Sequence, residues 1–291
     1  MNTIFVTGAS SGIGKVVTSS LNGSYHLKVL IHKNGPPEGL VNCTQLAGGL
    51  ENVQQHRKHV QSADTVLHMA GLTHSNDMSE YDRVNVEYTR ALLSVCRPEQ
   101  RIIYLSTRCI EEGGGGYSQS KRQAESAIVQ SGLRYVIIRP AEVYGSKQGE
   151  GIDALINLAR RRGFFVDFKH APPIRYSPVS VKELCSFVLS AVRTPPHGNA
   201  CYTICNDREY GAAEIAQALQ LATGRRVRLL PIPIRLLRVA QSLRVKLPFC
   251  RDQLSRLTME KLADNSSART DYGFSPCCYL SSFAQENQVS H

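Results

Sequence analysis

The sequence lacks the features of several protein classes. No apolar run approaches the roughly 18 to 20 residues that cross a bilayer, so no membrane-spanning helix is predicted. The nine cysteines include no Cys-x-x-Cys pair, and an odd count indicates reduced thiols rather than a disulfide framework. No histidine pair stands at metal-ligand spacing with a third partner, so no metal site is predicted. Because Met1-Asn2-Thr3 passes directly into an apolar strand without a secretory signal, we expect a cytoplasmic protein.

Acidic residues are scarce relative to basic ones. The chain has 34 Lys and Arg against 24 Asp and Glu, a formal net charge of +10. Residues 224–256 hold nine basic side chains and one acid, Asp252, a net +8. Such a segment suits a nucleotide diphosphate, an anionic membrane surface or nucleic acid, and a solvated basic face is the structural alternative.

The remaining composition is that of a folded globular chain. Its 291 residues fit one large domain or two small ones, and 42% hydrophobic with 20% charged residues excludes a disordered tail protein. Short apolar runs alternate with helical patterns over the first 145 residues, which predicts β-α-β units and a parallel, doubly wound α/β sheet of the Rossmann type. We predict strands at 3–7, 26–31, 64–69, 101–105 and 135–138, and helices at 12–21, 84–96 and 117–130.

After residue 145 the pattern becomes irregular and Pro-rich turns appear, which indicates a second, smaller region. We predict a dinucleotide-binding domain at 1–145, to which 176–195 returns, and a substrate-binding α+β region at 146–175 and 196–291.

A glycine-rich turn between the first strand and the first helix is the strongest local motif. It places Gly8, Ser10, Ser11, Gly12, Ile13 and Gly14 where a strand ends and a helix begins. Glycines allow a tight turn and a close approach of the backbone to a pyrophosphate, and the helix offers free N–H groups. The motif predicts nucleotide binding.

A Tyr and a Lys four residues apart form the second motif. Tyr117 and Lys121 share one face at the start of a predicted helix. An ammonium next to a phenol favours the phenolate and lowers a reference pKa of about 10. Such a tyrosine can exchange a proton with a carbinol oxygen while hydride moves to nicotinamide. Alone, the spacing is also common for an ordinary surface pair.

Further segments, nearly end to end along the chain, accompany these two motifs. They are His68-Met69-Ala70-Gly71, Asn85-Val86, Tyr104-Leu105-Ser106-Thr107, Arg139-Pro140, Val143-Tyr144-Gly145, Arg175-Tyr176-Ser177-Pro178-Val179, Leu262-Ala263-Asp264-Asn265-Ser266 and Asp271-Tyr272-Gly273-Phe274-Ser275-Pro276. Their order resembles that of the extended short-chain dehydrogenases/reductases of the NAD-dependent epimerase/dehydratase family, which includes nucleotide-sugar 4-epimerases and 4-keto reductases.

The resemblance implies roles for single residues. Tyr117 would be the acid/base, and Lys121 would hold the ribose hydroxyls. Thr107, or Ser106 in its place, would hydrogen-bond the reacting oxygen. The implied cofactor contacts also include Leu50, Met69, Ala70, Gly71, Asn85, Pro140 and Val143. Thr73 is a candidate substrate contact. Arg175 and Arg251 are candidates for binding substrate phosphates, and a structural ion pair is the alternative for each.

Some segments depart from the family pattern. Ser11 stands where extended members usually have glycine, and strand three lacks the Asp that contacts adenine in relatives. Arg108 and Cys109 follow Thr107 where sugar 4,6-dehydratases have an Asp-Glu pair, so dehydration is not expected. The loop from Thr107 to Tyr117 is short and rich in glycine.

The end of the second strand bears on cofactor choice. An acid about 20 residues after the glycines normally holds the ribose 2′-hydroxyl. Here His32 and Lys33 occupy that place, and their basic side chains suit a 2′-phosphate, so NADP is favoured over NAD. The alternative is that Lys33 simply points to solvent.

Residues 232–243 are amphipathic. Leu236, Leu237, Ala240 and Leu243 share one predicted face, with Arg235 off it. Such a helix either covers a core or makes peripheral contact with anionic lipid or a polyprenyl-diphosphate sugar.

The hypothesis from the sequence is a nicotinamide-dependent enzyme acting at C4 of a nucleotide-linked sugar, as a 4-epimerase or a 4-keto reductase. The family expectation is a homodimer. The alternative is a non-catalytic, cofactor-binding assembly subunit like the dehydrogenase-fold accessory subunit of respiratory complex I. Nucleic-acid binding has only the basic segment in its favour.

Overall fold

The computed structural model describes residues 2–32, 35, 37–110, 113–146, 151–196, 198–243, 245, 251–259 and 263–277, with the side chain of Arg251 outside this description. Its centre is a seven-stranded, fully parallel sheet in the order β10-β6-β5-β4-β1-β2-β3. These strands are β1 Thr3–Thr7, β2 His26–Ile31, β3 Cys43–Ala47, β4 Thr65–His68, β5 Arg101–Leu105, β6 Arg134–Pro140 and β10 Ala200–Ile204. The predicted Rossmann-type α/β class is confirmed.

The helices follow the strands along the chain. They are α1 Gly12–Leu21, α2 Arg57–Gln61, α3 Met78–Tyr81, α4 Tyr88–Val95, α5 Gly115–Gln130, α6 Ile152–Arg162, α7 Val181–Arg193, α8 Ala212–Thr223, α9 Ile234–Ser242, α10 Arg251–Thr258 and α11 Ser266–Tyr272. A 3₁₀ helix covers Leu50–His56, and a π-helical segment, Asp82–Glu87, joins α3 to α4. The helix predicted at 84–96 is therefore this π segment followed by α4.

The central strands are buried on both faces. Along β1, Phe5 and Val6 have 0% exposure but belong to different apolar clusters, because successive side chains of a strand point to opposite faces. Val6 packs with α1 and α7, whereas Phe5 packs with α4 and α5. Two helical layers therefore enclose the sheet, as continuous apolar strands require.

Four short strands form two further sheets. Strand β8, Phe164–Lys169, pairs in parallel with β11, Arg228–Pro233, and β7, Val143–Tyr144, pairs in parallel with β9, Val179–Ser180. A separate apolar cluster around Phe165 joins α6 to α8 beside β8. Strand β10 lies in the main sheet although the sequence analysis assigned 196–291 to the substrate-binding region. The division into domains stays a prediction.

The sheet order reverses next to β1. Strands β2 and β3 lie on one side of β1, and β4, β5, β6 and β10 lie on the other. In open parallel sheets, ligands bind at the carboxyl ends of the strands at such a reversal. The ends of β1, β4 and β5 therefore carry the candidate site. Among the described residues, no helix is long and apolar enough to cross a membrane.

Helix α9 divides its apolar side chains between core and solvent. Ile234 is buried and Leu237 packs partly against the small core beside β8. Leu236, Val239 and Leu243 remain 63%, 55% and 72% exposed. The predicted common face therefore splits, with Leu237 turned inward and Leu236 and Leu243 turned outward.

Candidate functional site

The turn between β1 and α1 has no room for side chains. Gly8 has φ +77°, and a Cβ there would lie 2.4 Å from the backbone nitrogen of Ala70. A Cβ at Gly14 would lie 2.0 Å from the Gly8 carbonyl oxygen. Ser11 caps α1, because its Oγ accepts the Gly14 N–H at 2.9 Å. Ser11 thus begins the helix at the position where relatives usually have glycine.

A buried hydrogen-bond chain joins the ends of β1 and β4. His68 Nδ1 lies 2.7 Å from Thr7 Oγ1, and His68 Nε2 lies 2.9 Å from Thr89 Oγ1. Thr89 donates its hydroxyl to the carbonyl of Asn85 at 2.7 Å, so it accepts from His68. Burial, and secondarily the charge of Lys121, lowers the pKa of His68 to about 3. The imidazole is therefore neutral and ties the sheet to the helix that begins at Tyr88.

Asn85 connects the segment after β4 to α5. Its Oδ1 accepts the Leu72 N–H at 2.7 Å, and its Nδ2 donates to the Leu72 carbonyl at 3.0 Å and to Ser120 Oγ at 2.9 Å. A Cβ at Gly71 would lie 3.2 Å from Asn85 Oδ1 and 3.6 Å from Lys121 Nζ. The predicted residues Gly71, Asn85 and Lys121 are thereby brought together.

Lys121 lies in an almost closed environment. Its Nζ donates to the Leu105 carbonyl at 2.8 Å and lies 4.3 Å from the centre of the Tyr104 ring. Burial lowers its pKa to about 7, while nearby Glu125 acts in the opposite direction. The ammonium at the carboxyl end of β5 therefore changes charge near neutral pH.

Tyr117, in the first turn of α5, contacts a helix from the far end of the chain. Its backbone N–H donates to Asp252 Oδ2 at 3.4 Å, and the Arg256 guanidinium carbon lies 4.3 Å from the ring centre. The Tyr81 ring meets it edge-on at 6.2 Å between centroids. Helix α10 thus covers the tyrosine for which the family resemblance implies the acid/base role.

The glycines before Tyr117 allow these helices to approach. A Cβ at Gly115 would lie 2.3 Å from Asp252 Cβ, and one at Gly116 would lie 2.5 Å from Met78 Cε. Gly115 also has φ +79°, a conformation that L side chains rarely adopt. These glycines therefore allow α3 and α10 to pack closely against the start of α5.

Ser106 and Thr107 lie at the end of β5 beside Lys121. Both are buried, and Thr107 Oγ1 accepts the Cys109 N–H at 3.1 Å. Ser106 Oγ has no hydrogen-bond partner and is fully buried. Arg108, which follows, is buried and pairs with Glu142 at 2.6 Å and with Glu209 at 3.7 Å. It thus takes up a structural position where dehydratases have a carboxylate.

A carboxylate from another element lies beside the end of β2, and the sequence analysis did not predict it. His32 Nε2 lies 3.5 Å from the carboxylate of Glu51, in the 3₁₀ helix after β3. Both side chains are well exposed. Lys33 lies outside the described residues. The ribose end of the predicted cofactor site therefore includes both an imidazole and a carboxylate.

The other predicted residues occupy different places. Leu50 and Met69 are buried in the two cores that flank the sheet, and Pro140 and Val143 follow one another at the end of β6 and in β7. The Thr73 carbonyl accepts from Arg256 at 3.1 Å, which brings Thr73 to the Tyr117 surroundings. Arg175 instead contacts Glu209 and Glu214. The Arg251 side chain lies outside the described residues.

Local sequence patterns missed Glu51, Asp252 and Arg256. Asp252 and Tyr117 are 135 positions apart in the chain, so no spacing rule connects them. Their only signal is the single acid within a basic segment. No group of three or more metal-ligating side chains occurs in the part of the chain that the structure describes.

A family model and two curated relatives match the sequence of this chain. The model of the NAD dependent epimerase/dehydratase family matches residues 4–163. The UDP-glucose 4-epimerase of Vibrio cholerae is 24% identical over 94% of this chain and 90% of its own length. The ceramide reductase of Caulobacter vibrioides is 23% identical over 79% of this chain and 73% of its own length.

A solved structure has the same fold over the whole chain. MoeE5, in complex with UDP-glucose and NAD, superposes with a TM-score of 0.79 at 18% identity, covering 99% of this chain and 98% of its own.

Proposed function

The chain belongs to the NAD dependent epimerase/dehydratase family, and we propose that it acts at C4 of a nucleotide-linked sugar, as a 4-epimerase or 4-keto reductase. The observation that carries the proposal is the meeting of α5 with the ends of β4 and β5. There Lys121 approaches Gly71 and the Leu105 carbonyl, one helical turn after Tyr117 and next to Ser106 and Thr107.

The residues of the site fit a dinucleotide. The Gly8 and Gly14 contacts leave bare backbone at the amino end of α1, which suits a pyrophosphate. A bound nicotinamide supplies hydride exchange with a carbinol carbon. Tyr117 removes or returns the proton of the sugar hydroxyl, Thr107 donates a hydrogen bond to the same oxygen, and Lys121 holds the ribose hydroxyls and favours the phenolate.

Elimination of water is not part of this proposal. A dehydratase needs carboxyl groups after the threonine, whereas this chain has Arg108 and Cys109 there. Arg108 is turned into a buried pair with Glu142. The non-catalytic subunit is also not favoured, because the relatives with matching sequence are named as enzymes.

Replacing Tyr117 by Phe tests the mechanism. The change removes the proton-transfer group and keeps the ring, so kcat on UDP-sugars should fall at least about a hundredfold, with an unchanged melting temperature. Replacing Tyr88, a partly buried tyrosine at the start of α4, by Phe is the matched control and should leave turnover unaltered. Full turnover by the Tyr117→Phe variant contradicts the mechanism.

The choice of cofactor depends on two neighbouring groups. His32 and Lys33 support the proposal of NADP, because basic side chains bind a 2′-phosphate. Glu51, 3.5 Å from His32, supports NAD, because a carboxylate accepts a ribose hydroxyl and repels a phosphate. The NAD in the MoeE5 structure agrees with the second choice.

Thermal-shift titration with NADPH and NADH in parallel decides between them. A ligand at about 100 times its Kd stabilises the fold by roughly 2.7 kcal/mol, which is several degrees for a chain of this size. Glu51→Gln should weaken the NADH shift and strengthen the NADPH shift. Selectivity for NADH that survives this change contradicts the role of Glu51.

We also propose peripheral contact with an anionic membrane through α9. Leu236, Val239 and Leu243 form an exposed stripe, and residues 215–251 contain eight basic side chains and no acid. Apolar side chains inserted at the membrane interface and arginines bound to lipid phosphates give two additive attractions.

The relative named as a ceramide reductase makes a lipid-linked carbonyl compound the second candidate substrate.

Vesicle sedimentation tests this contact. The protein should pellet with phosphatidylglycerol vesicles and not with phosphatidylcholine vesicles, and added salt should weaken the binding. Replacing Leu236, Val239 and Leu243 together by Ser should abolish it. Leu221→Ser on α8, at a residue 70% exposed, is the control. Equal binding by the triple variant contradicts the proposal.

A homodimer and a cytoplasmic location complete the proposal. The outer surfaces of α4 and α5 lie side by side around Arg90, Leu93 and Gln130 and leave a shallow depression. Ala127 on α5 lines this depression. Light scattering should give twice the chain mass, and Ala127→Arg should give the monomer. A wild-type protein that stays monomeric contradicts the dimer.

A further inference from the structure

Helix α10 carries two charged residues to the face of Tyr117. The Asp252 side chain is 7% exposed and that of Arg256 is 13% exposed, so both are largely removed from water. Asp252 Oδ1 accepts the Tyr81 hydroxyl at 3.3 Å, and its Oδ2 lies 3.9 Å from Arg256 Nη1. The carboxylate thereby fixes α10 to α3 and α5 at once.

Arg256 is held in place from several directions. Its Nη1 donates to the Thr73 carbonyl at 3.1 Å, and Asp252 precedes it by one helical turn. The guanidinium carbon then lies 4.3 Å from the centre of the Tyr117 ring. A planar guanidinium stacks well on an aromatic face, whereas an ammonium has no such planar contact.

The charged and titratable groups around Tyr117 come from four elements. Among the described residues they are Lys121 on α5, Tyr104 on β5, Tyr81 on α3, and Asp252 and Arg256 on α10. Burial lowers the pKa of Lys121 to about 7, so its positive charge is only partly present at neutral pH. An arginine side chain keeps its charge at every pH at which the fold is stable. Arg256 is therefore the permanent cation at this ring.

We propose that Arg256 is a positioning residue for Tyr117: its guanidinium, held by Asp252 and the Thr73 carbonyl, keeps a fixed positive charge on the ring and favours the phenolate. The inference rests on the proposed function in assigning the acid/base role to Tyr117. It adds that helix α10 completes the reactive site, because Lys121 and Arg256, 135 positions further on in the chain, would both favour the Tyr117 phenolate.

Titration of the Tyr117 phenol tests the inference without any substrate. The near-ultraviolet phenolate absorbance of the protein, minus that of its Tyr117→Phe variant, isolates this ionisation. Arg256→Gln should raise its midpoint by about one pH unit, as expected when a unit charge near a phenol is removed. Arg256→Lys keeps the charge and should restore most of the wild-type midpoint.

Two further variants keep the result interpretable. Arg256→Met removes the charge but retains an apolar stem on the ring, so it replaces the Gln variant if that chain fails to fold. Arg238→Gln removes a neighbouring arginine that donates to Thr258 Oγ1 of the same helix. This control should leave the Tyr117 midpoint unchanged. A folded, charge-free Arg256 variant with an unshifted midpoint overturns the proposal.

The pH dependence of turnover separates this inference from the proposed function. In the direction that oxidises the sugar carbinol, where Tyr117 acts as the base, the acidic limb of kcat/KM should move to higher pH by the same amount in Arg256→Gln, with about tenfold lower kcat/KM on that limb. Absence of turnover in the wild type refutes the proposed activity, and the phenol titration still decides the role of Arg256.

Discussion

At the scale of single residues, the buried histidine at the end of β4 shows how burial controls protonation. His68 lies between two threonine hydroxyls in a fully buried environment, where the neutral ring donates to Thr89 and accepts from Thr7. A second proton would leave a charge without solvent beside the Lys121 ammonium. The residue therefore links protonation to stability.

The resulting pH dependence has a definite sign. The pKa of His68 falls from 6.5 in the unfolded chain to about 3 in the folded one, so its contribution is complete above 6.5 and is lost as pH falls toward 3. Chemical denaturation should show the free energy of unfolding decreasing by about 1.4 kcal/mol per pH unit below about pH 6 through this group. His68→Gln should lack that component of the slope. An identical slope in the variant contradicts the prediction.

Lys121 shows what a buried cation costs in stability. Its burial disfavours the ammonium, and one carbonyl and one aromatic face offset part of that penalty. The same burial lowers the pKa of Lys121 to about 7, in the range where the proposed proton exchange of Tyr117 would take place.

At the scale of elements, the loop before α5 decides how close the helices approach. Gly113 and Gly115 both have positive φ, but only Gly115 faces another helix. Substitutions at these two positions therefore distinguish the cost of a positive φ from the cost of a steric clash.

Alanine at these two positions should have different effects. Among the described residues, Gly113→Ala meets no atom within 4 Å, so it should cost only the left-handed conformation, about 1 kcal/mol, and retain turnover. Gly115→Ala places its methyl group 2.3 Å from Asp252 Cβ, so α10 must move away from Tyr117. We expect a loss of about 2 to 3 kcal/mol and at least about tenfold in kcat, measured by denaturation and steady-state kinetics. Equal effects of the two changes would show that α10 does not dock here.

At the scale of the whole molecule, an aromatic cluster joins the last helix to the sheet. The Phe187 ring on α7 lies 5.3 Å from Tyr202 on β10, 5.1 Å from Tyr272 on α11 and 5.8 Å from Phe274. The Tyr202 hydroxyl also donates to Asp271 at 2.7 Å. These contacts make residues far apart in the chain part of one core.

Removing the central ring of this cluster tests the coupling. Phe187→Ala should lower the free energy of unfolding by about 3 to 5 kcal/mol, because it leaves a cavity between α7, β10 and α11. Phe164→Ala, at a residue 39% exposed, should cost less than about 1.5 kcal/mol. Calorimetry should show one transition, moved to lower temperature. A split transition would show that the C-terminal elements unfold separately.

The sequence by itself determined the features that depend on neighbours in the chain. Alternating strands and helices, the glycine turn at Gly8 and the four-residue spacing of Tyr117 and Lys121 follow from local geometry, because strand and helix periods are short. The family resemblance added Thr107 and Asn85 to the predicted site residues. The structure confirmed the fold class and brought Gly71, Asn85 and Lys121 together.

Only the tertiary structure decided which distant elements meet. The Glu51 carboxylate beside His32, the Asp252 and Arg256 contacts with Tyr117, and the outward face of α9 have no local pattern. The sequence pattern of an amphipathic helix, or of a lone acid in a basic segment, indicates that the element contacts something. It does not indicate which element it contacts. The partner is selected by close packing across the chain, where the missing Cβ at Gly115 lets α10 approach Tyr117.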